Sequence, residues 1–201
     1  MGIAVELPGG SVLFTGRAEG DLRDAACRDR LPTPPVARAR QVHGTAVLTV
    51  RAPGDAGTDA DGLATTAGAV APLVLTADCL PVALVAPEGV AMVHAGWRGL
   101  DGGVLEAGVG ALRGFGAGDV RAVIGPGAGA CCYEVGDELR DRFGTTGPTL
   151  DLKAIARERL LAAGVVEVQD VGVCTICSPD HFSFRRDADE AGRQGGIAWR
   201  S

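Results

Sequence analysis

The sequence predicts an α/β domain built on a mixed sheet, and three observations predict it. Apolar, β-branched runs recur along the chain, most of them bounded by Gly, Pro or Asp, which is how strands sit between turns. Segments with helical spacing lie between several of them. Two neighbouring runs are joined only by Ala86-Pro87-Glu88-Gly89, a length that makes an antiparallel hairpin, whereas regular strand-helix alternation would favour parallel pairing.

In chain order, residues 11–14 form the first strand signal, and residues 22–31 carry helical spacing before the proline-rich LPTPP. Strands follow at 46–50, 73–76, 81–85 and 90–94, then a helix at 100–113 and a strand at 120–124. The helix at 152–163 has the clearest ends. Asp151 is placed to cap its first turn, and Gly164 suits the left-handed residue that follows a helix. A last long strand covers 165–173. Arg185-Arg186-Asp187, after Phe182-Ser183-Phe184, alternates like a half-buried strand running into a structural ion pair.

Nearly half the 201 residues are apolar and under a quarter are charged, enough for one domain, 1–201, with a substantial core. The 31 glycines, about twice the ~7% average, fall in short turn-like clusters, and no repeat or linker divides the chain. The net charge is −6 with no basic cluster, so a nucleic-acid partner is not expected. No apolar run reaches the roughly 18–20 residues of a spanning helix, and MGIAVELPGGS lacks the start of a signal peptide. The sequence therefore points to a cytoplasmic protein without a membrane partner, whose six cysteines stay reduced.

Two of the three histidines lie at the edges of apolar segments, His43 before a strand and His94 at the end of one. Cys79 sits between two further strands, so the three could converge at one sheet end. Two imidazoles and a thiolate leave a fourth metal position open, as catalytic zinc sites do. Spacing alone also allows a buried cysteine and two hydrogen-bonded histidines. After His94, the turn Ala95-Gly96-Trp97-Arg98-Gly99 opens a helix, where free N–H groups and Arg98 could receive an anion; a turn that merely stops a strand is the simpler alternative. The glycine-rich passage 124–130 could floor a pocket or serve packing alone.

Cys174-Thr175-Ile176-Cys177 admits a redox motif or, with Cys131 and Cys132, a four-cysteine zinc site. No flanking aromatic and no following helix support the first, and adjacent cysteines rarely both ligate one metal. Packed, reduced thiols are therefore expected here. His181 reads as a loop residue.

In order along the chain, QVHGTAV, DADGLATT, LTADCLPV, VHAGWRGL, IGPGAGACCYEVGDEL, CTICSPDHFSFRRD and AGRQGG resemble the YfiH-type or laccase-domain family, whose members also go under the names polyphenol oxidase and purine nucleoside phosphorylase. The resemblance covers about 41–196. It implies zinc as cofactor with His43, Cys79 and His94 as ligands, a mixed α-β-β-α sandwich and a largely monomeric protein. It further implies phosphorolysis of adenosine, inosine and methylthioadenosine, with adenosine deamination alongside, so that a purine nucleoside and phosphate are the partners. Gln41 and Arg17, the latter matching an early arginine of the family, stand as substrate-binding residues. The family's N-terminal Gly-Gly-Val-Ser turn and Leu-Asn segment are replaced here by FTGRAEG.

Phosphorolysis needs groups that hold phosphate and an acid or metal for the departing base, and Arg98 with turn 96–99 is the candidate for the first. Deamination needs a proton shuttle, for which Asp78 beside Cys79 is the candidate. Copper-dependent phenol oxidation competes, but a blue centre with a trinuclear cluster needs far more than three histidines. A zinc-stabilised binding or accessory protein is the remaining alternative.

Overall fold

The computed structural model describes residues 2–201. Strands β1 (Ile3–Leu7), β2 (Gly10–Phe14), β3 (Val36–Arg40), β4 (Val47–Thr49), β5 (Gly54–Asp59) and β6 (Gly62–Thr65) precede the central trio β7 (Ala71–Thr76), β8 (Leu80–Ala86) and β9 (Gly89–Ala95); β10 (Arg121–Ile124), β11 (Glu167–Asp170) and β12 (Gln194–Trp199) follow. They make two six-stranded sheets, ordered β1-β2-β12-β7-β3-β5 and β11-β10-β8-β9-β6-β4. Both are mixed: β3 runs parallel to β5 and β7, β4 to β6, and β10 to β11, while the other pairs are antiparallel.

Period-two geometry explains the layering. Along β8, Val82 and Leu84 face one way and pack with Leu105, Val109, Leu112 and Leu160. Ala83 and Val85 face the other way, where they meet Val12, Phe14, Val74 and Ala198 of the opposite sheet. The strand is thus buried on both faces, so its residues read as a continuous apolar run. Helices α2 (Trp97–Gly102), α3 (Val104–Gly114), α4 (Asp137–Phe143) and α5 (Leu152–Ala162) belong to the second sheet's outer side, and the short α1 (Ala25–Arg28) lies by the first, near Leu13, Leu22, Leu73 and Ile197. The α/β class and the mixed α-β-β-α sandwich are as expected. No helix of the described residues is long and apolar enough to cross a membrane.

The local differences have local causes. The helix expected at 22–31 shrinks to α1, because Asp24 caps at Ala26 N and Arg28 folds back onto the carbonyls of Leu22 and Arg23. The helix expected at 100–113 is two helices, parted by Gly103 at φ +95°, a conformation glycine adopts without penalty. The strand expected at 165–173 ends at Asp170, before Gly172 at φ +73°. Arg185-Arg186-Asp187 is not a strand but part of α6 (Phe184–Asp187), capped by Ser183. Its ion pair does form, between Arg186 and Asp187.

Strands β1, β3, β5, β6 and β12 were not evident in the sequence. β5 is exposed throughout and shows no apolar pattern. In β12, a Cβ on Gly196 would lie 2.6 Å from Pro81 and 2.9 Å from Met92, so close packing of the sheets forces glycine and hides the strand.

Candidate metal centre and adjoining cavity

The antiparallel register of β8 and β9 sets Leu80 opposite Ala95 and Pro81 opposite His94. Cys79, just before β8, therefore lies beside the end of β9. The segment after β3 brings His43 to the same edge. The three ligand atoms lie within 4.8 Å of one another, with Cys79 Sγ 3.9 Å from His43 Nε2. The two imidazoles meet edge to face, their centroids 4.9 Å apart.

One carboxylate places both histidines. Asp61, fully buried at the entry to β6, accepts from His94 Nδ1 at 2.7 Å, which turns Nε2 toward Cys79. Its two oxygens also accept the N–H groups of Val42 at 3.1 Å, His43 at 2.9 Å and Gly44 at 2.7 Å. That clamp holds His43 at φ +60°, a conformation non-glycine residues seldom adopt. A histidine ligand whose second nitrogen is fixed by a carboxylate is the usual supporting arrangement at metal sites. Sequence reasoning missed Asp61, although it stands in the DADG segment that carried part of the family resemblance.

The electrostatics follow. Burial alone would raise the Cys79 thiol, but hydrogen bonds and charge from His43 and His94 bring it down to about 6. Burial alone would lower His94, yet hydrogen bonds with Asp61 and Cys79 raise it to about 9. At neutral pH the pair is thiolate and imidazolium, an electron-rich pocket that a cation can enter by displacing a proton. Gly96 packs against the trio: a Cβ there would sit 3.0 Å from Cys79 Sγ and 3.1 Å from His43 Cδ2, so any side chain would have to push the ligands aside.

The trio opens into a cavity of about 510 Å³ that Gln41, Thr76, Phe184 and four arginines, Arg23, Arg38, Arg40 and Arg193, also line. Three of those arginines are paired, with Asp21, Asp55 and Asp59 respectively. The Arg193 guanidinium donates to the carbonyls of Ala191 and Gly192 and lies 6.0 Å over the Phe184 ring, while the Arg193 backbone N–H donates to Asp21 Oδ1 at 3.2 Å. Among the described residues its guanidinium has no carboxylate partner. The Thr76 hydroxyl is buried without a hydrogen-bond partner. A smaller cavity of about 130 Å³, lined by Asp78, Cys79, Trp97, Tyr133 and Phe184 among others, adjoins it.

A sequence model of the family described as "Multi-copper polyphenol oxidoreductase laccase" matches residues 21–201. The chain belongs to this family. It is 39% identical over 183 residues to the purine nucleoside phosphorylase of Xylella fastidiosa (strain Temecula1), covering 80% of this chain and 70% of that protein. It is 41% identical over 176 residues to purine nucleoside phosphorylase SCO2081 of Streptomyces coelicolor, covering 79% and 72%. Among solved structures, YlmD from Geobacillus stearothermophilus superposes with a TM-score of 0.80 at 30% identity over 95% of this chain and 91% of that one. A protein of Neisseria meningitidis from the family DUF152 gives 0.80 at 29% identity, covering 100% and 99%. A YfiH protein of Bacillus licheniformis gives 0.79 at 25%, covering 98% of each chain. The YfiH-type, laccase-domain family is thus the one this chain resembles throughout.

In this laccase-domain chain the other expected site residues are placed as follows. Gln41 lines the cavity, but its amide is engaged at both ends with Leu75 N and O, so it ties β7 to the wall. Arg17 is not among the lining residues; it pairs with Asp187 and lies 4.7 Å over Phe182. Arg98 is exposed, stacks 4.1 Å over Trp97 and does not line the cavity either. Asp78 is buried, and its carboxylate already accepts from Thr175 Oγ1, Ser183 Oγ and Arg185 N. The passage 124–130 serves packing: a Cβ on Gly125 would lie 2.4 Å from Phe14, and one on Gly127 2.4 Å from Leu80.

The second cysteine group, expected as packed, reduced thiols, is unpaired and gathered in one place. Cys131, Cys132, Cys174 and Cys177 bring their sulfurs within 4.8 Å of one another, and Cys131 and Cys177 are exposed. His181 is a loop residue, as expected, but it is buried and hydrogen-bonded to Ser178.

Proposed function

We propose that the chain is a zinc-dependent purine nucleoside phosphorylase acting on adenosine, inosine and methylthioadenosine, with adenosine deamination as a second activity. The observation that carries this reading is the convergence of His43, Cys79 and His94, with Asp61 behind them, on a cavity that also offers Arg193 and Phe184. The names of the relatives support the same reaction.

Two imidazoles and one thiolate suit a borderline-soft divalent ion, and three protein ligands leave a position for substrate. When bound, zinc would supply a Lewis acid at the reacting end of the cavity. The chain's own groups do the rest. Arg193 holds the phosphate through its planar fork. Phe184, 48% exposed and shared by both cavities, gives the purine a ring to stack on.

Asp61 keeps His94 in the tautomer whose Nε2 can ligate. Asp78, with three donors already on its carboxylate, is assigned to holding the Cys79 turn rather than to moving a proton. Gln41 supports the cavity wall, Arg98 stays at the outer face of Trp97, and Arg17 fastens the C-terminal loop. We further propose a monomer acting in the cytoplasm, where six unpaired thiols remain reduced.

A His₂Cys set also suits a single copper ion, in keeping with the family's name. His181 lies with Ser178 rather than with the trio, which leaves no histidines for a copper cluster.

The test incubates metal-quantified protein with adenosine, with and without phosphate, and follows adenine, ribose 1-phosphate and inosine. Phosphate-dependent adenine release by zinc-loaded protein is expected. Inosine alone would make the protein a deaminase, dioxygen-dependent phenol turnover with copper would restore the oxidase, and no turnover with zinc bound would leave a binding protein.

A further inference from the structure

The four cysteines that the catalytic reading does not use come from two loops far apart in sequence. The first follows β10, where residues 130–132 form a tight turn closed by Cys132 N and Tyr133 N, both donating to Gly129 O. In a strand, neighbouring side chains point to opposite faces. In this turn Cys131 and Cys132 point the same way, with sulfurs 3.6 Å apart. The second loop carries Cys174 and Cys177 in a turn after β11.

Backbone bonds stitch the loops together before any sulfur chemistry. Gly127 and Cys174 form a bridge, Gly127 N donates to Val173 O, and Thr175 N donates to Gly127 O. Gly129 allows the approach, since a Cβ there would lie 3.0 Å from Cys174 Cβ and 3.3 Å from both the Cys131 and the Cys174 sulfurs.

From this convergence of four sulfurs on two pre-aligned turns, we infer that Cys131, Cys132, Cys174 and Cys177 form a second metal site, closed and tetrahedral, for a thiophilic divalent ion of which zinc is the natural occupant. A zinc ion about 2.3 Å from each of four sulfurs would set those sulfurs about 3.8 Å apart. The Sγ separations of 2.8 Å for Cys132–Cys177, 3.5 Å for Cys131–Cys177 and 3.6 Å for Cys131–Cys132 are shorter than that value, and all four sulfurs lie inside 4.8 Å, so the ligands are gathered closely enough for one ion to hold them after a small outward shift.

Two further contacts hold the site in shape. The Cys174 sulfur accepts the Gly129 N–H at 3.2 Å, a bond that favours a thiolate. Arg186 donates through Nη1 to the carbonyls of Thr175, Ile176 and Ser178 at 3.0, 3.1 and 2.9 Å. Paired with Asp187, it fixes the CxxC turn; four thiolates and one dication there would carry a net charge of −2. On binding, the thiol protons leave to solvent and no electron moves.

The site's consequence reaches the first metal centre. Thr175, inside the CxxC turn, donates to Asp78 Oδ1 at 2.7 Å, and Asp78 precedes Cys79. A metal closing the four-cysteine turn would stiffen the support behind that ligand.

The test is metal content of the full chain purified under reducing conditions, with and without H43A/C79A, which empties the trio. Expected are two zinc ions per chain without substitution, one in H43A/C79A and none when C174S/C177S is added; cobalt in H43A/C79A should show the intense sulfur-to-metal absorption of a four-thiolate site. A chain that holds no metal in H43A/C79A would overturn the inference. So would a free-thiol count two short of six in the unsubstituted protein, which would mean a Cys132–Cys177 disulfide. If H43A/C79A does not fold, the unsubstituted chain decides by its zinc content, by zinc release during mercurial titration of the thiols, and by its cobalt spectrum. Failure of the trio would instead leave one zinc per chain that C174S/C177S removes.

Discussion

Asp61→Asn removes one charge and leaves the shape almost unchanged, which makes it the sharpest probe of the site. Oδ1 accepts from His43 N and His94 Nδ1, and Oδ2 from Val42 N and Gly44 N. An asparagine keeps one oxygen and turns its NH₂ against the other pair of donors. If the NH₂ faces His94, that ring must accept on Nδ1 and carry its proton on Nε2, where a metal should bind. If it faces Val42 and Gly44, two buried N–H groups lose their acceptor and the His43 turn loosens. Either arrangement damages ligation. Loss of such a supporting partner weakens metal binding roughly 10- to 100-fold, or about 1.4–2.7 kcal/mol. Zinc competition against a chromophoric chelator measures it, with circular dichroism to confirm the fold. A folded D61N variant with unchanged zinc affinity would refute the argument that this carboxylate organises the site.

Gly96→Ala should weaken zinc binding on the order of tenfold while the fold survives, because its methyl meets Cys79 Sγ and His43 Cδ2 directly; chelator competition again decides. Arg193→Ala should raise KM for phosphate about 10- to 100-fold, the equivalent of about 1.5–3 kcal/mol for a hydrogen bond to a charged group, and leave KM for adenosine much less affected. Phe184→Ala should do the reverse, raising KM for adenosine by about two- to tenfold through the lost stacking. Zinc affinity should also follow pH with a definite sign. Between about 6 and about 9, Cys79 is ionised and His94 is protonated in the metal-free protein, so binding releases one proton. Affinity should therefore rise about tenfold per pH unit up to about 9 and then level. Below about 6 the Cys79 proton competes as well and the fall should steepen; calorimetry in buffers of different ionisation enthalpy counts the protons.

The His43–Cys79–His94 trio was legible because each lies beside an apolar run and in a segment that resembles the family, and the structure brings the three together. Asp61 was not, since in DADG it reads as one more turn residue; only the fold shows that its carboxylate closes on residues 42–44 and on His94. Arg98 misled because a helix start after a strand suggests an anion site whatever surrounds it, and here the stack on Trp97 keeps the guanidinium outside. Arg193 stood in AGRQGG without local signal, for it reaches the cavity through the pairing of β12 with β7. The cysteine pair was set aside because adjacent cysteines rarely both ligate one metal, yet the turn at 130–132 brings both sulfurs to the same side. Glycine hid β12 for a different reason: close sheet packing excludes the side chains that would have announced a strand.

His43 and Asp78 are two of the three non-glycine residues with positive φ among the described residues, at +60° and +91°. Each such conformation costs of order 1 kcal/mol and persists only where its surroundings over-determine it. At His43 the determinant is Asp61; at Asp78 it is the residue's own carboxylate, held by Thr175, Ser183 and Arg185. The strain falls on one ligand and on the neighbour of another, and a buried carboxylate offsets it in both places. The partners of Asp78 lie 97, 105 and 107 residues further along the chain, so local sequence cannot hold the Cys79 turn in shape. Ligand geometry at Cys79 therefore depends on the C-terminal loops, and the four-cysteine turn, which contains Thr175, is the part of those loops closest to it in bonding.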